Sequence, residues 1–393
     1  MATFSIAGKA LKLTSAEDID PHLDELAKLS TCSKLDLSGN TIGTEASQKL
    51  AQFIDSHDSV KKNVKEINFA DLYTSRLVDE VVESLNCLLP VLLKCEKLEI
   101  LNLSDNAFGL RTIDSLENYI ANAVHLKHLI LSNNGMGPFA GERIGKALFQ
   151  LAQNKKAKKE PFLETFVCGR NRLENGSALY LALGLKSHAD GLQTVRLYQN
   201  GIRPKGVATL IHYGLKFNKN LKVLDLQDNT FTKSASSILA ANLPTWKESL
   251  LELNVNDCLL KEQGSDEVFK VFLDHKFAKL EHLKFNYNEM NQDTIESSLI
   301  PALEKGHLPS LKELEINGNR LQEDSEALDT LQGLFEDLEL DDLEELDSDE
   351  EDEDDEDDDD DEKLEEIETE ALEKQLLELS VDDLTEGLSK THI

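Results

Sequence analysis

Cysteine is scarce. The chain has five in 393 residues, Cys32, Cys87, Cys95, Cys168 and Cys258, and no CxxC pair among them. That spacing argues against a disulfide framework or a zinc cluster and suits buried thiols in a reducing compartment. Long apolar runs are missing too. Nothing approaches the roughly 18 consecutive apolar residues of a membrane span, and the N-terminal MATFSIAGKALKL lacks the apolar stretch of a signal peptide. Positive charge is in deficit: 41 Lys and Arg against 75 Asp and Glu leave a formal charge of −34. Phosphate and anionic-lipid surfaces attract a basic face, so no nucleic acid and no membrane are expected as partners. HExxH, GxSxG and GxxxxGK[ST] are all absent. The nearest approach, Gly141-Glu-Arg-Ile-Gly145-Lys146-Ala147, has the wrong spacing and falls in a predicted helix. The ten histidines show no metal-ligand spacing. The expectation is a chain with no metal, no cofactor and no active site for a small substrate of its own.

The charge is unevenly placed. Residues 336–362 hold 22 acids in 27 positions, while residues 1–335 carry only −6. The body exceeds the usual domain of roughly 100–150 residues, so it is two domains or one repetitive array. A repeated frame decides for the array. It reads apolar, any, apolar, two small or polar residues, then Asn: Leu35-Asp-Leu37-Ser-Gly-Asn40, Leu101-Asn-Leu103-Ser-Asp-Asn106, Leu129-Ile-Leu131-Ser-Asn-Asn134. Further copies end at Asn171, Asn200, Asn229, Asn288 and Asn319, with Cys258 in one Asn place and Leu72 in a degenerate second copy. The steps run from 28 to 37 residues. This is the leucine-rich-repeat signature with room for a full helix between strands. Helical spacing of apolar residues over 45–54, 141–152 and 234–243 agrees. The fold class expected is α/β: a leucine-rich-repeat solenoid of the horseshoe kind with about eleven strand-helix repeats. Leu11-Lys-Leu13 is expected as a short cap strand. The divisions expected are a repeat domain over 1–335, an acidic disordered tract over 336–362 and an acidic amphipathic segment over 363–393.

Each repeat buries one face only, so neighbours must stack to close a core. The repeated asparagines, Asn106, Asn134, Asn171, Asn200, Asn229, Asn288 and Asn319, are expected to turn inward and satisfy loop backbone groups that burial would leave unpaired. The preceding residue then turns outward. That row reads Gly39, Asp71, Asp105, Asn133, Arg170, Gln199, Asp228, Asp257, Tyr287, Gly318 and is polar at every step from Asp71 to Asp257. A solvated rim explains any single member. The whole row points to recognition, which sits on loops of a rigid scaffold. Two places stand out. Asn133 lies beside structural Asn134, and the broken second repeat carries Tyr73-Thr-Ser-Arg76. An exposed loop arginine is usually a surface charge, but at about 4.8 Å per strand Arg76 and Asn133 are close enough to serve one partner.

The tail has two further features. Leu338, Leu340, Leu343 and Leu346 are placed to cap the last repeat, ahead of fourteen consecutive acids at 349–362. Leu372, Leu376, Leu379 and Val381 lie at amphipathic spacing that also fits a leucine-rich nuclear export signal.

The strings FSIAGKALKL (4–13), LSGNTIGTEA (37–46), LSDNAFG (103–109), NNGMGP (133–138), CGRNRLENGS (168–177), QNGIRP (199–204) and LDLQDNTFT (224–232) go beyond what the repeat demands. On them the chain resembles the Ran GTPase-activating protein family in its fungal form. The resemblance implies stimulation of GTP hydrolysis on Ran-GTP during nucleocytoplasmic transport. It implies that Ran's own catalytic glutamine is ordered and that no arginine finger, elsewhere worth about 10³–10⁵ in rate, is supplied. Asn133 and Arg76 carry over as the catalytic pair, Asn133 holding the GTPase site and Arg76 docking or orienting. Asn40, Asp71, Asp105, Arg170, Asn175, Gln199, Arg203 and Asp228 are expected to contact the partner, with Gly135 and Gly137 shaping the approach. GTP and Mg²⁺ would belong to Ran, and a Ran-binding protein would complete a ternary complex. A cytoplasmic monomer is implied, without the extra C-terminal domain of animal members. Two other classes stay open on the residues alone. One is a non-catalytic repeat scaffold or inhibitor of the ribonuclease-inhibitor kind, which is richer in cysteine. The other is an acidic leucine-rich histone-binding protein, whose repeats are shorter than the mean step of 31 here.

Overall fold

The computed structural model describes residues 2–343, 364 and 366–378. Eleven parallel strands form one sheet in chain order, each next to its predecessor. They are Thr3–Ser5, Lys34–Asp36, Glu66–Asn68, Ile100–Asn102, His128–Ile130, Thr165–Val167, Thr194–Arg196, Val223–Asp225, Glu252–Asn254, His282–Lys284 and Glu313–Glu315. The strands pair in uniform register. Leu35 faces Ile67, which faces Leu101, then Leu129, Phe166, Val195, Leu224, Leu253, Leu283 and Leu314. All are buried. A one-residue slip would turn this whole row to solvent, which is why the repeat frame fixes the pairing. Helices return the chain on the outer side, among them Thr44–Ser56, Pro138–Lys158 and Thr232–Asn242; the first two extend past the expected 45–54 and 141–152 at both ends, and the third starts two residues before the expected 234–243 and stops one short of its end. The result is the open leucine-rich-repeat solenoid expected.

The first strand is not the one anticipated. Lys12–Leu13 pairs with Thr41–Ile42 in a separate two-stranded sheet, and Thr3–Ser5 opens the main sheet. The frame was present there: Phe4 and Ile6 are buried and Gly8 occupies the turn at φ +67°. Lys9 in the Asn place disguised it. At the other end the packing runs past residue 335. Leu338, Leu340 and Leu343 lie against the core, and Asp342 caps the last repeat by accepting from Gly318 N–H and donating its own N–H to Asn317 Oδ1. Leu346 and the acids at 349–362 lie outside the described residues.

The main helix of each repeat begins at the edge where the strands end and finishes at the opposite edge. The second edge therefore gathers helix C-terminal carbonyls, which favour cations. Lys155 shows why. Fully buried, it donates to Val124 O, Leu126 O and Pro161 O at 2.7, 2.6 and 2.9 Å. Burial pulls its pKa down to about 8, while the three carbonyls hold the charge.

His188 stands at the same edge. Its Nδ1 accepts from Leu163 N–H at 3.2 Å and its Nε2 donates to Leu148 O at 2.9 Å. That pairing fixes the neutral tautomer, and burial lowers the pKa to about 3. The unfolded chain takes up this proton near pH 6.5 and the folded chain near 3, so the stability His188 supports is complete above 6.5. It is lost below that at about 1.4 kcal/mol per pH unit until the folded value is reached. Urea unfolding between pH 7.5 and 5 should show this slope, and His188→Gln should flatten it. An equal slope in the variant would remove His188 as the cause.

Candidate functional site

The asparagine ladder is continuous over most of the sheet. Asn134 is fully buried; its Nδ2 donates to Leu103 O and Leu131 O, both at 3.0 Å, and its Oδ1 accepts from Asn106 N–H at 2.9 Å. Asn106, Asn171, Asn200, Asn229, Asn288 and Asn319 repeat the pattern of donating to their own and the preceding turn. Cys258 keeps the rung with its thiol, which reaches Leu226 O at 3.4 Å and Asn256 O at 3.3 Å. Asn40 belongs here and not among the contact residues. It is 3% exposed, and its side chain is spent on Ile6 O, Leu37 O and Leu11 N–H. At Leu72 the ladder breaks, although Leu72 N–H still donates to Asn106 Oδ1 at 2.7 Å.

The residue before each rung is left-handed in all ten repeats. Asp71, Asp105, Asn133, Arg170, Gln199, Asp228, Asp257 and Tyr287 lie at φ between +49° and +62°, with Gly39 and Gly318 at +67° and +63°. Asp, Asn and Gly tolerate this conformation. The backbone alone therefore accounts for much of the row that looked like a recognition surface. It does not account for Arg170, Gln199 and Tyr287, which gain nothing there and cost about 1–2 kcal/mol each. An outlier of that kind points to function.

Asn133 is exposed at the crest of its turn and donates from Nδ2 to Asp105 Oδ1 at 2.7 Å. The neighbouring Gly135 lies at φ +64° with nothing within 4 Å of an added Cβ, so the backbone there is open to approach. Arg76 lies elsewhere. Its side chain is 10% exposed and folds toward the N-terminal cap, Nε donating to Thr41 Oγ1 and Nη2 to Thr14 Oγ1, both at 2.9 Å, with Glu80 3.6 Å away. It thus points toward earlier repeats and away from Asn133, so the two do not converge on one spot. Arg76 fastens the irregular loop; it is not a free group. Asp71 is the acceptor of Thr74 Oγ1 within that loop.

Further along, Arg170 and Asn175 are exposed, and Asn175 Oδ1 accepts from Arg203 N–H at 2.9 Å, tying two successive loops. Gln199, Arg203 and Asp228 continue the rim. Three kinds of residue escaped the sequence reading. Arg172, within the GRNRLENG loop expected to be shaped for contact but not singled out there, is exposed beside Arg170, and neither guanidinium has an ion pair or hydrogen bond among the described residues. Leu77, Leu110 and Phe139 are 74%, 54% and 42% exposed where successive helices begin. Their signal was an apolar residue outside the repeat frame. The third is a division of cations. Six of the eight arginines, Arg76, Arg111, Arg170, Arg172, Arg203 and Arg320, lie in loops that follow strands, and the ten such loops from 37 onward hold no lysine. The helix-to-strand connections hold lysines and no arginine. Lysine at helix C-termini is explained by the helix dipole. Arginine at helix N-termini is opposed by it, and arginine is the cation enriched at protein interfaces while lysine is depleted.

Among the described residues no group of His, Cys, Asp and Glu is arranged to hold a metal ion, and no helix is long and apolar enough to cross a membrane. The fold and rim define a leucine-rich-repeat solenoid with an arginine-bearing edge. A leucine-rich-repeat family profile matches residues 217–234. The chain is 74% identical over 337 residues to Ran GTPase-activating protein 1 of Saccharomyces cerevisiae, covering 86% of this chain and 83% of that protein. It is 38% identical over 208 residues to Ran GTPase-activating protein 2 of Caenorhabditis elegans, covering 52% of this chain and 21% of that one. It is 32% identical over 223 residues to the Ran GTPase-activating protein of Drosophila melanogaster, covering 56% and 36%. The chain belongs to the Ran GTPase-activating protein family.

Proposed function

We propose that this protein is a GTPase activator acting in trans on Ran-GTP in nucleocytoplasmic transport, and that its rim orders Ran's own catalytic glutamine without an arginine finger. The observation that carries this reading is the pair at 133 and 134. One asparagine is locked in the ladder and the other is held out on the same turn by Asp105. An amide so placed can donate and accept toward a polar group of a partner, and it cannot neutralise charge. Catalysis then comes from positioning, which is worth as much as about 10²-fold for a small misplacement. Arg76, fixed to the cap, is a positioning residue in this scheme. Arg170, Arg172, Asn175, Gln199, Arg203, Asp105 and Asp228 supply docking, with Leu77, Leu110 and Phe139 as apolar contacts. GTP and Mg²⁺ are Ran's. A Ran-binding protein joins in a ternary complex, the activator acts as a monomer in the cytoplasm, and the leucines from 372 to 381 favour that location as an export signal.

The test is phosphate release from GTP-loaded Ran with and without the protein. Acceleration by several orders of magnitude is expected. No acceleration at saturating protein would leave only a binding scaffold.

A further inference from the structure

The helix Glu174–Ser187 is apolar on both sides. Ala178, Leu181, Ala182 and Leu185 face the main core, while Leu183 joins a separate cluster with Phe149 of helix Pro138–Lys158. A helix on the outside of a solenoid needs only one apolar side, so this second one requires a cover. The cover is part of this chain. The helix Thr369–Glu378 lies on it, with Leu376 5% exposed and Leu372 and Tyr180 packed at the margin. Lys186 Nζ meets Glu373 Oε1 at 2.7 Å while also standing 4.6 Å over the Phe217 ring. Ile367 N–H donates to Tyr213 Oη at 3.0 Å. Three consecutive repeats thus hold one twelve-residue segment, 367–378, through an apolar pair, an ion pair and a backbone bond. Its Ala, Leu, Glu, Lys and Gln favour a helix, yet so short a helix is marginal alone.

We propose that the outer face formed by Phe149, Tyr180, Leu183, Lys186 and Tyr213 is a docking site for a short acidic amphipathic helix, occupied in cis by residues 367–378, and that the docking is releasable. The consequence concerns Leu372 and Leu376, the first two members of the leucine pattern; Leu379 and Val381 lie outside the described residues. A partner that recognises spaced leucines needs the side chains that the docked helix buries, so it competes with the body for them. Docking also ties the chain down on both sides of residues 344–363, of which 17 are acids.

The experiment uses the full chain and trypsin, read by mass spectrometry at Lys374, the one basic residue between 364 and 389. Cleavage there needs the helix undocked and unwound. The wild type should be cut slowly. Leu376→Asp should speed cutting by about a hundredfold, the equivalent of losing one buried leucine. Lys186→Glu should speed it by several-fold, and adding Glu373→Lys, which places a second lysine beside Lys374, should restore slow cutting at both lysines. Hydrogen exchange in helices Pro138–Lys158 and Glu174–Ser187 serves as the folding control and should stay protected. Fast cutting of the wild type, or failure of the charge swap to restore protection while those helices remain protected, would overturn the proposal.

Discussion

Asn133→Ala is expected to lower the stimulation of GTP hydrolysis about a hundredfold and to leave unfolding unchanged, while Asn134→Ala does the reverse. The two residues share a turn, and everything that separates them is burial. Truncating Asn134 removes two donors and one acceptor at once. Asn106 N–H loses its partner in a site no water reaches, while Leu103 O and Leu131 O each lose one of two donors and keep Asn106 Nδ2 and Asn171 Nδ2. One unmet backbone group costs about 1–3 kcal/mol, and with two carbonyls weakened about 2 kcal/mol in total is expected by urea unfolding. Truncating Asn133 removes one exposed bond to Asp105 and relieves nothing in the core. A left-handed alanine is somewhat worse than asparagine there, so a small stability loss, under about 1 kcal/mol, is tolerated by the argument. Gly at 133 is the control: it keeps the backbone at ease and still removes the amide, so its activation should be as poor as alanine's. Equal loss of stability in the 133 and 134 variants would contradict the division of roles. Restored activation by Asn133→Gly would show that the backbone of this turn, not the amide, does the work.

The repeat frame made the solenoid legible because parallel stacking enforces one burial pattern many times over. The central strand residue, the ladder asparagine and the return helix are each demanded by the neighbour on either side. Where a neighbour is missing, the reading weakened. The cap strand was assigned to 11–13 when Thr3–Ser5 holds that place, because Lys9 replaces the asparagine that no preceding repeat requires. The rim was harder still. Its position in the frame was evident, but the left-handed backbone that selects Asp, Asn and Gly there was not, so a conformational preference looked like a recognition code. Asn40 was placed among the contacts although its own frame marked it as a rung. Arg76 shows the limit most clearly. Its sequence position said only that it lies in an irregular loop, and the direction of its side chain depended on Thr14, 62 positions away in the chain.

That direction yields the second large effect. Arg76→Ala should reduce activation about a hundredfold through loss of loop position. It should also cost about 2 kcal/mol of stability, because its bonds to Thr14 and Thr41 involve a charged donor and are mostly sheltered. Arg170 and Arg172 are the opposite case: exposed, and without a partner among the described residues, they are the arginines free to reach into another protein. If they only dock, Arg170→Ala with Arg172→Ala raises KM for Ran-GTP about tenfold and leaves kcat within about twofold, the signature of uniform binding. If either enters the nucleotide site as a finger, kcat falls by about 10³–10⁵ instead, and the mechanism proposed here is wrong. Thr41→Val separates the remaining possibility for Arg76. It keeps the shape of the side chain and removes the Oγ1 that accepts from Nε. A positioning role makes this variant copy part of the Arg76→Ala defect. A direct catalytic role predicts normal kcat, since the guanidinium would still be present and freer to move.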